Sequence, residues 1–227
     1  MNRYNPAMNT DWDELFSIIE DALRINGNYL PSVSQIAESS LHDPFEVLIS
    51  TVISLRTKDE VTISASRRLF QIARNPASMM LLDEEQIAKT IFPAGFYRTK
   101  ARNIKQISRL LVDCHGGQVP PDKEALLQLP GVGPKTANLT LNLGFGIEAI
   151  CVDTHVHRIS NRLGWVSTTT PLQTEKALEV IMPKKYWISL NELLVTFGQR
   201  ICQPVSPWCS RCPLADQCPR HKVFRTR

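Results

Sequence analysis

Apolar side chains recur with a helical period along nearly the whole chain. Trp12, Leu15, Phe16, Ile19, Ala22 and Leu23 share one face of a predicted first helix. Asn26 to Ser40 reads as loop, with Gly27 and Pro31 as breakers. Asp43-Pro44 then opens a helix from Phe45 to Ser54 that is too apolar to lie anywhere but in a core. Shorter helices follow over 59–73 and 84–92, and Gly95-Phe96-Tyr97 breaks the pattern before a long helix from about Thr99 to Cys114. Asp122 is placed to cap a short helix ending at Gln128, and Pro134 suits the first position of the next, towards Leu143. Asp153 to Arg162 starts another helix, and Thr170-Pro171-x-Gln173 has the form of a capping box opening one to about Ile181. Tyr186, Leu190, Leu193, Leu194 and Phe197 face the core from the last long helix, which ends near Gly198. No alternating strand pattern, internal repeat or low-complexity tract stands out, so the predicted fold class is all-α.

At 227 residues the chain can bury one large core or two small ones. A net charge of +4 suits a polyanionic partner without demanding one. The distribution says more: beyond Cys202, five cations (Arg211, Arg220, Lys222, Arg225 and Arg227) face the single acid Asp216, whereas the first helix is acidic. Met1 to Thr10 is polar and has no apolar run of signal-peptide length, and no segment approaches the roughly 20 apolar residues of a membrane span. The expected location is intracellular, cytoplasmic or nucleoid-associated, with no membrane partner. The six cysteines are then thiols or ligands rather than disulfides. Cys114 and Cys151 lie among apolar residues and read as core.

Two stretches carry candidate chemistry. In Leu129-Pro130-Gly131-Val132-Gly133-Pro134-Lys135 the glycines allow a tight turn between two helices. The N-terminus of the second helix is an anion site, so a phosphate fits against Gly131, Val132 and Gly133. Taken alone, this is also an ordinary helix-turn-helix corner. At the C-terminus, Cys202-x6-Cys209-x2-Cys212-x5-Cys218 brings together four thiols in a segment too short for its own core. Both [4Fe–4S] and Zn2+ suit such a set, although zinc sites usually show two close pairs and here only Cys209 and Cys212 are close.

The hairpin, the stretch Val152-Asp153-Thr154-His155-Val156-His157-Arg158, and the four cysteines occur in an order and spacing that resembles the endonuclease III family of DNA glycosylases. The resemblance extends from about Pro44 to Cys218. It implies two helical subdomains flanking a DNA-binding cleft. A six-helix barrel over 36–147 would hold the helix-hairpin-helix at 122–145. A second domain, 1–35 with 148–227, would hold a [4Fe–4S] loop at 202–218. The partner would be double-stranded DNA containing a damaged base or an abasic site, bound by a monomer.

By the same resemblance, Lys135 is the nucleophile and Asp153 the carboxylate opposite it, while His155 lines the site. Cys202, Cys209, Cys212 and Cys218 hold the cluster. Arg56 and Phe96 match the family's plug and wedge, which fill the hole left by a flipped base. The family usually has glutamine where Arg56 stands, and arginine donates hydrogen bonds but accepts none. Lys100 reads as a solvated helix start. The implied activity is removal of oxidised or damaged pyrimidines through a lysine Schiff base, with β-elimination at the abasic site. The alternatives are a monofunctional mismatch glycosylase acting on thymine, uracil or adenine, and a non-catalytic metal-stapled DNA-binding module. Relatives that excise adenine carry glutamate at the Thr51 position, and those that excise thymine usually carry tyrosine at Lys135.

Overall fold

The structure, a computed structural model, describes residues 10–24 and 30–227, and the sequence readings on Met1–Asn9 and Gly27 lie outside them. The described residues form helices and connecting turns without strands, and no helix among them is long and apolar enough to cross a membrane. The chain divides into two compact units, Pro31–Ala149 and Ile150–Arg227, the latter joined by the N-terminal residues up to Leu30.

The first unit contains α2 (Ser32–Ser39), α3 (Pro44–Ser54), α4 (Asp59–Ile72), α5 (Pro76–Leu81), α6 (Glu84–Ile91), α7 (Tyr97–His115), α8 (Lys123–Leu127) and α9 (Pro134–Phe145). Its centre is α3, buried at every position from Phe45 to Ile53 and packed against α2, α4, α7 and α9. Asp43 caps it by accepting the Glu46 N–H at 2.9 Å. Filling a core at this density leaves little room for loss: truncating Leu48 or Ile53 to alanine costs about 2–5 kcal/mol.

Two elements depart from the sequence reading. α2 occupies the stretch read as loop, because Pro31 serves as its N-cap and Val33, Ile36 and Ala37 form a short buried stripe. α5 is opened by a capping box between Asn75 and Ser78. Cys114, read as core, is exposed. It shares a face with the buried Ile107 and Leu111, but lies in the last turn of α7, which stops at Gly116, left-handed at φ 60°.

The second unit contains α1 (Trp12–Arg24), α10 (Thr154–Arg162), α11 (Pro171–Ile181) and α12 (Trp187–Arg200). Its core joins Phe16, Ile19, Val156, Ile159, Leu178, Leu190, Leu194 and Phe197. Trp12 meets Trp165 edge-on at 5.0 Å between ring centres. Thr170 caps α11 as expected, but the Gln173 side chain reaches back to Thr169 rather than closing the box on Thr170. Cys151 is buried, as its apolar neighbours required.

Candidate active site and cysteine loop

The hairpin is set by local chemistry. Asp122 accepts the Ala125 N–H at 2.8 Å and starts α8. Leu129 and Val132 are buried, fixing the turn to the core, while Gly131 stands exposed between them at φ 75°. The Val132 N–H donates to Leu129 O at 3.1 Å and so is already engaged within the turn. Gly133 caps α9, Pro134 takes its first position and Lys135 its second. Lys135 is half-buried at the positive end of the helix macrodipole. A side chain at Gly131 would run into Asn103 of α7, so this glycine also sets how closely the hairpin packs.

Asp153, in the other unit, caps α10. Its Oδ1 accepts the His155 and Val156 N–H groups at 2.8 and 2.9 Å. The His155 ring turns inward, with Nδ1 3.1 Å from Arg158 Nη2 and packed on Gly198 of α12. His157 bonds Thr174 at 2.7 Å, and burial first, then nearby Lys222, lowers its pKa.

Two arginines that the sequence reading did not single out tie α10 to the cysteine loop. Arg158 Nη2 donates to Cys202 O at 2.9 Å. Arg162 is buried, and its guanidinium donates to Gln203 O and Pro204 O, each at 2.7 Å, and to Cys202 Sγ at 3.4 Å. The one available signal was their spacing of four residues, which puts both on one face of α10.

Cys202, Cys209, Cys212 and Cys218 line a common space, partly open to solvent, with Phe197, Ile201 and Trp208. None of the four is in a disulfide. Burial pushes the Cys212 thiol up to about 11, and the neighbouring cysteines add to the rise; Cys218 is raised for the same first reason. Among the described residues no group of three or more His, Cys, Asp or Glu side chains is arranged to hold a single metal ion. The chain beyond Cys218 folds back on this loop: Arg227 N donates to Pro207 O at 2.8 Å, and Arg227 O accepts from Ser210 N at 3.0 Å. The Arg211 and Arg227 guanidiniums lie 4.1 and 4.9 Å from the centre of the Trp208 ring.

Arg56 and Phe96, forty positions apart, come together. The Arg56 guanidinium lies 5.5 Å from the centre of the Phe96 ring, and Phe96 is 64% exposed. Both backbones are left-handed, at φ 52° and 56°. Lys100, read as solvated, is buried: it is only 5% exposed, and its Nζ donates to Ile53 O, Leu55 O and Thr57 Oγ1 at 2.7, 2.6 and 2.8 Å. Burial lowers its pKa to about 8. The sequence concealed this because the acceptors come from the far end of α3.

The family model described as "HhH-GPD superfamily base excision DNA repair protein" matches residues 49–184. The chain is 52% identical over 176 residues to endonuclease III of Thermotoga maritima, covering 78% of this chain and 83% of that one. A trapped endonuclease III–DNA covalent intermediate superposes with a TM-score of 0.75 at 40% identity, over 78% of this chain and 84% of that chain. A thermostable thymine-DNA glycosylase superposes with a TM-score of 0.79 at 25% identity, over 94% of this chain and 98% of that one. The chain therefore belongs to the endonuclease III family of the HhH-GPD superfamily, and it is a base excision repair DNA glycosylase/lyase.

Proposed function

We propose that this enzyme removes oxidised pyrimidines from duplex DNA and then cuts the strand at the resulting abasic site, with Lys135 as nucleophile and Asp153 as the counter-charge. The observation that carries the reading is Lys135 itself, a half-buried amine in the first turn of α9, just after the exposed Gly131 and half-buried Gly133 of the hairpin. The helix N-terminus at Gly133 suits a phosphate of the damaged strand, which would bring the sugar to the lysine. Extruding the base costs a few kcal/mol, least for a damaged one, and Arg56 and Phe96 would fill the gap. His155, whose ring packs on Gly198 beside Arg158, would line the site next to Asp153. We assign Pro31–Ala149 as the barrel domain and the rest as the cluster domain, working inside the cell where the DNA is.

In the chemical step Lys135 Nζ forms a bond to C1′ as the bond from C1′ to the base nitrogen breaks, and the base leaves with that electron pair and a proton. Positive charge builds on the sugar, and the Asp153 carboxylate, fixed by two helix N–H donors, stabilises it. The amine loses its protons and O4′ gains one as the sugar ring opens, giving an imine. The imine acidifies C2′; loss of that proton breaks the C3′–O3′ bond and releases the 3′ phosphate. Water then hydrolyses the imine and frees the lysine.

We further assign a [4Fe–4S] cluster to Cys202, Cys209, Cys212 and Cys218. Support comes from the donor set: four thiols line one space, and burial, with neighbouring cysteines adding to it, makes Cys212 and Cys218 costly to ionise, a burden that a cationic iron core would relieve. When bound, the cluster supplies a cross-link that orders the basic tail; the bond-making is done by the chain's own residues.

The test is borohydride trapping on duplexes carrying thymine glycol or an abasic site. A covalent complex should form with the wild type and be absent with Lys135→Ala. An active enzyme that never traps, or a complex that persists in Lys135→Ala, overturns the mechanism. Including a G·T mismatch tests the mismatch alternative, which the extended superposition on the thymine enzyme motivates.

A further inference from the structure

Lys100 has no part in the chemistry above, yet it is buried and fully hydrogen-bonded. An ammonium has three hydrogens, and here each has an acceptor: Ile53 O, Leu55 O and Thr57 Oγ1 at 2.7, 2.6 and 2.8 Å. Ile53 lies in the last turn of α3 and Leu55 is its C-cap, where carbonyls not used within the helix favour a cation. Thr57 Oγ1 also accepts the Gly95 N–H at 3.1 Å, so one hydroxyl joins the loop after α3 to the turn before α7. The two loops touch so closely that a side chain at Gly95 would collide with the Arg56 carbonyl oxygen.

The two residues presented by this clamp are Arg56 and Phe96. Both hold left-handed backbones that non-glycine residues rarely adopt, and both project into solvent rather than packing in the core. Strain of this kind persists only where surrounding contacts over-determine it, and it concentrates at functional sites. If the clamp existed only to fill space, an uncharged side chain of similar length would serve, since burial works against the charge and pulls the pKa of Lys100 to about 8. An amine is retained where three acceptors must be gathered to one point.

We infer that Lys100 is a positioning residue that locks the two loops so that Arg56 and Phe96 enter the duplex as one preassembled unit against the base opposite the lesion. The inference rests on the reading of those two side chains as the ones that fill the gap. Arg56 donates hydrogen bonds but accepts none, so a fixed guanidinium favours partner bases with acceptors turned towards it. A loosened one would contact all four bases nearly equally, so the clamp should set opposite-base preference.

The test compares wild type, Lys100→Met, Thr57→Val, Arg56→Ala and Phe96→Ala on two substrates. One duplex carries thymine glycol and requires base extrusion; the other carries a preformed abasic site. Each is made with all four opposite bases, and with 2-aminopurine opposite the lesion to report stacking of the partner base. For Lys100→Met we expect single-turnover excision to fall at least tenfold and lyase rate on the abasic duplex to fall less than threefold. The spread of rates across opposite bases should narrow, and the 2-aminopurine signal should shift towards that of Arg56→Ala. Thr57→Val removes one acceptor with little change in size, and should move the same readouts in the same direction even if Lys100→Met does not fold.

Equal losses on both substrates, or an unchanged opposite-base spread, would reduce Lys100 to a structural lysine and overturn the inference. If Arg56→Ala and Phe96→Ala both leave excision intact, it is the gap-filling premise that fails. If those two impair excision while Lys100→Met and Thr57→Val do not, the premise stands and the clamp fails.

Discussion

Asp153 combines two roles that single substitutions separate. As a cap it accepts two N–H groups of α10, and as a reactant its charge opposes the sugar cation. Asparagine caps a helix about as well as aspartate, and alanine does not. Asp153→Asn should therefore unfold within a few tenths of a kcal/mol of wild type while excision falls on the order of 10²-fold. Asp153→Ala should lose the same activity and ~1 kcal/mol besides. Urea unfolding and single-turnover excision give both numbers; an active but destabilised Asp153→Asn would leave Asp153 only the capping role. Lys100 gives a pH prediction. Its pKa falls from an ordinary 10.5 to about 8 in the fold, so between those values the unfolded chain holds a proton that the folded chain lacks. Stability should then rise with pH from about 8 to 10.5 on this residue's account, with no contribution to the slope below that window. Unfolding of Lys100→Met over the same range should lack that rise; parallel wild-type and variant profiles would contradict it. The caps at Asp122 and Asp153 were legible in the sequence because their partners lie within three residues. Lys100 was not, since Leu55 O is 45 positions away. Cys114 failed for a related reason: periodicity tells which face a residue occupies but not where the packing partner ends.

Among elements, the hairpin makes the sharpest prediction because its two glycines have different duties. Gly131 is left-handed at φ 75°, and a side chain there would strike Asn103, so Gly131→Ala carries both backbone strain and a clash. The expected loss is about 2 kcal/mol or more. Adding Asn103→Ala should recover the clash portion and leave the backbone portion. Gly133 has open space where its Cβ would be, and its φ is −106°, so Gly133→Ala should fold with little loss of stability. Its new methyl would sit where α9 begins, and DNA affinity should fall in gel-shift titrations. A Gly131→Ala variant as stable as wild type, or Gly133→Ala with unchanged affinity, would contradict these assignments. The long amphipathic helices were legible because each carries its own stripe and cap. The short α2 and α5 were not: Pro31 is as good a helix start as a breaker, and six residues at α5 are too few for a period to show.

At the scale of the molecule, each unit has its own hydrophobic core, but only the second depends on a segment that cannot pack by itself. From Cys202 onward, the apolar residues Leu214 and Pro207 are buried, while Cys202 and Cys212 rest against the core. The loop is otherwise held by polar anchors: the Arg158 and Arg162 guanidiniums on carbonyls of 202–204, and Arg227 on Pro207 and Ser210. The cysteine spacing made the gathering of the four thiols legible in advance, whereas the arginine anchors needed the fold, because the carbonyls they reach lie more than forty positions away. Stripping iron by oxidation and chelation, or making Cys212→Ser, should abolish the brown colour and the stoichiometric iron and sulfide. It should also release the tail, moving the fluorescence of Trp208 and opening the chain to protease beyond Arg200. The core of Pro31–Ala149 shares no residue with that loop, so it should stay protected and folded. With Arg211 and Arg227 no longer held against Trp208, fewer phosphates should be neutralised, and the plot of log affinity against log salt should flatten by roughly one unit per lost contact. A metal-free protein whose tail stays protected, with the salt slope unchanged, would show that the arginine anchors alone order the loop and that the cluster has a different task.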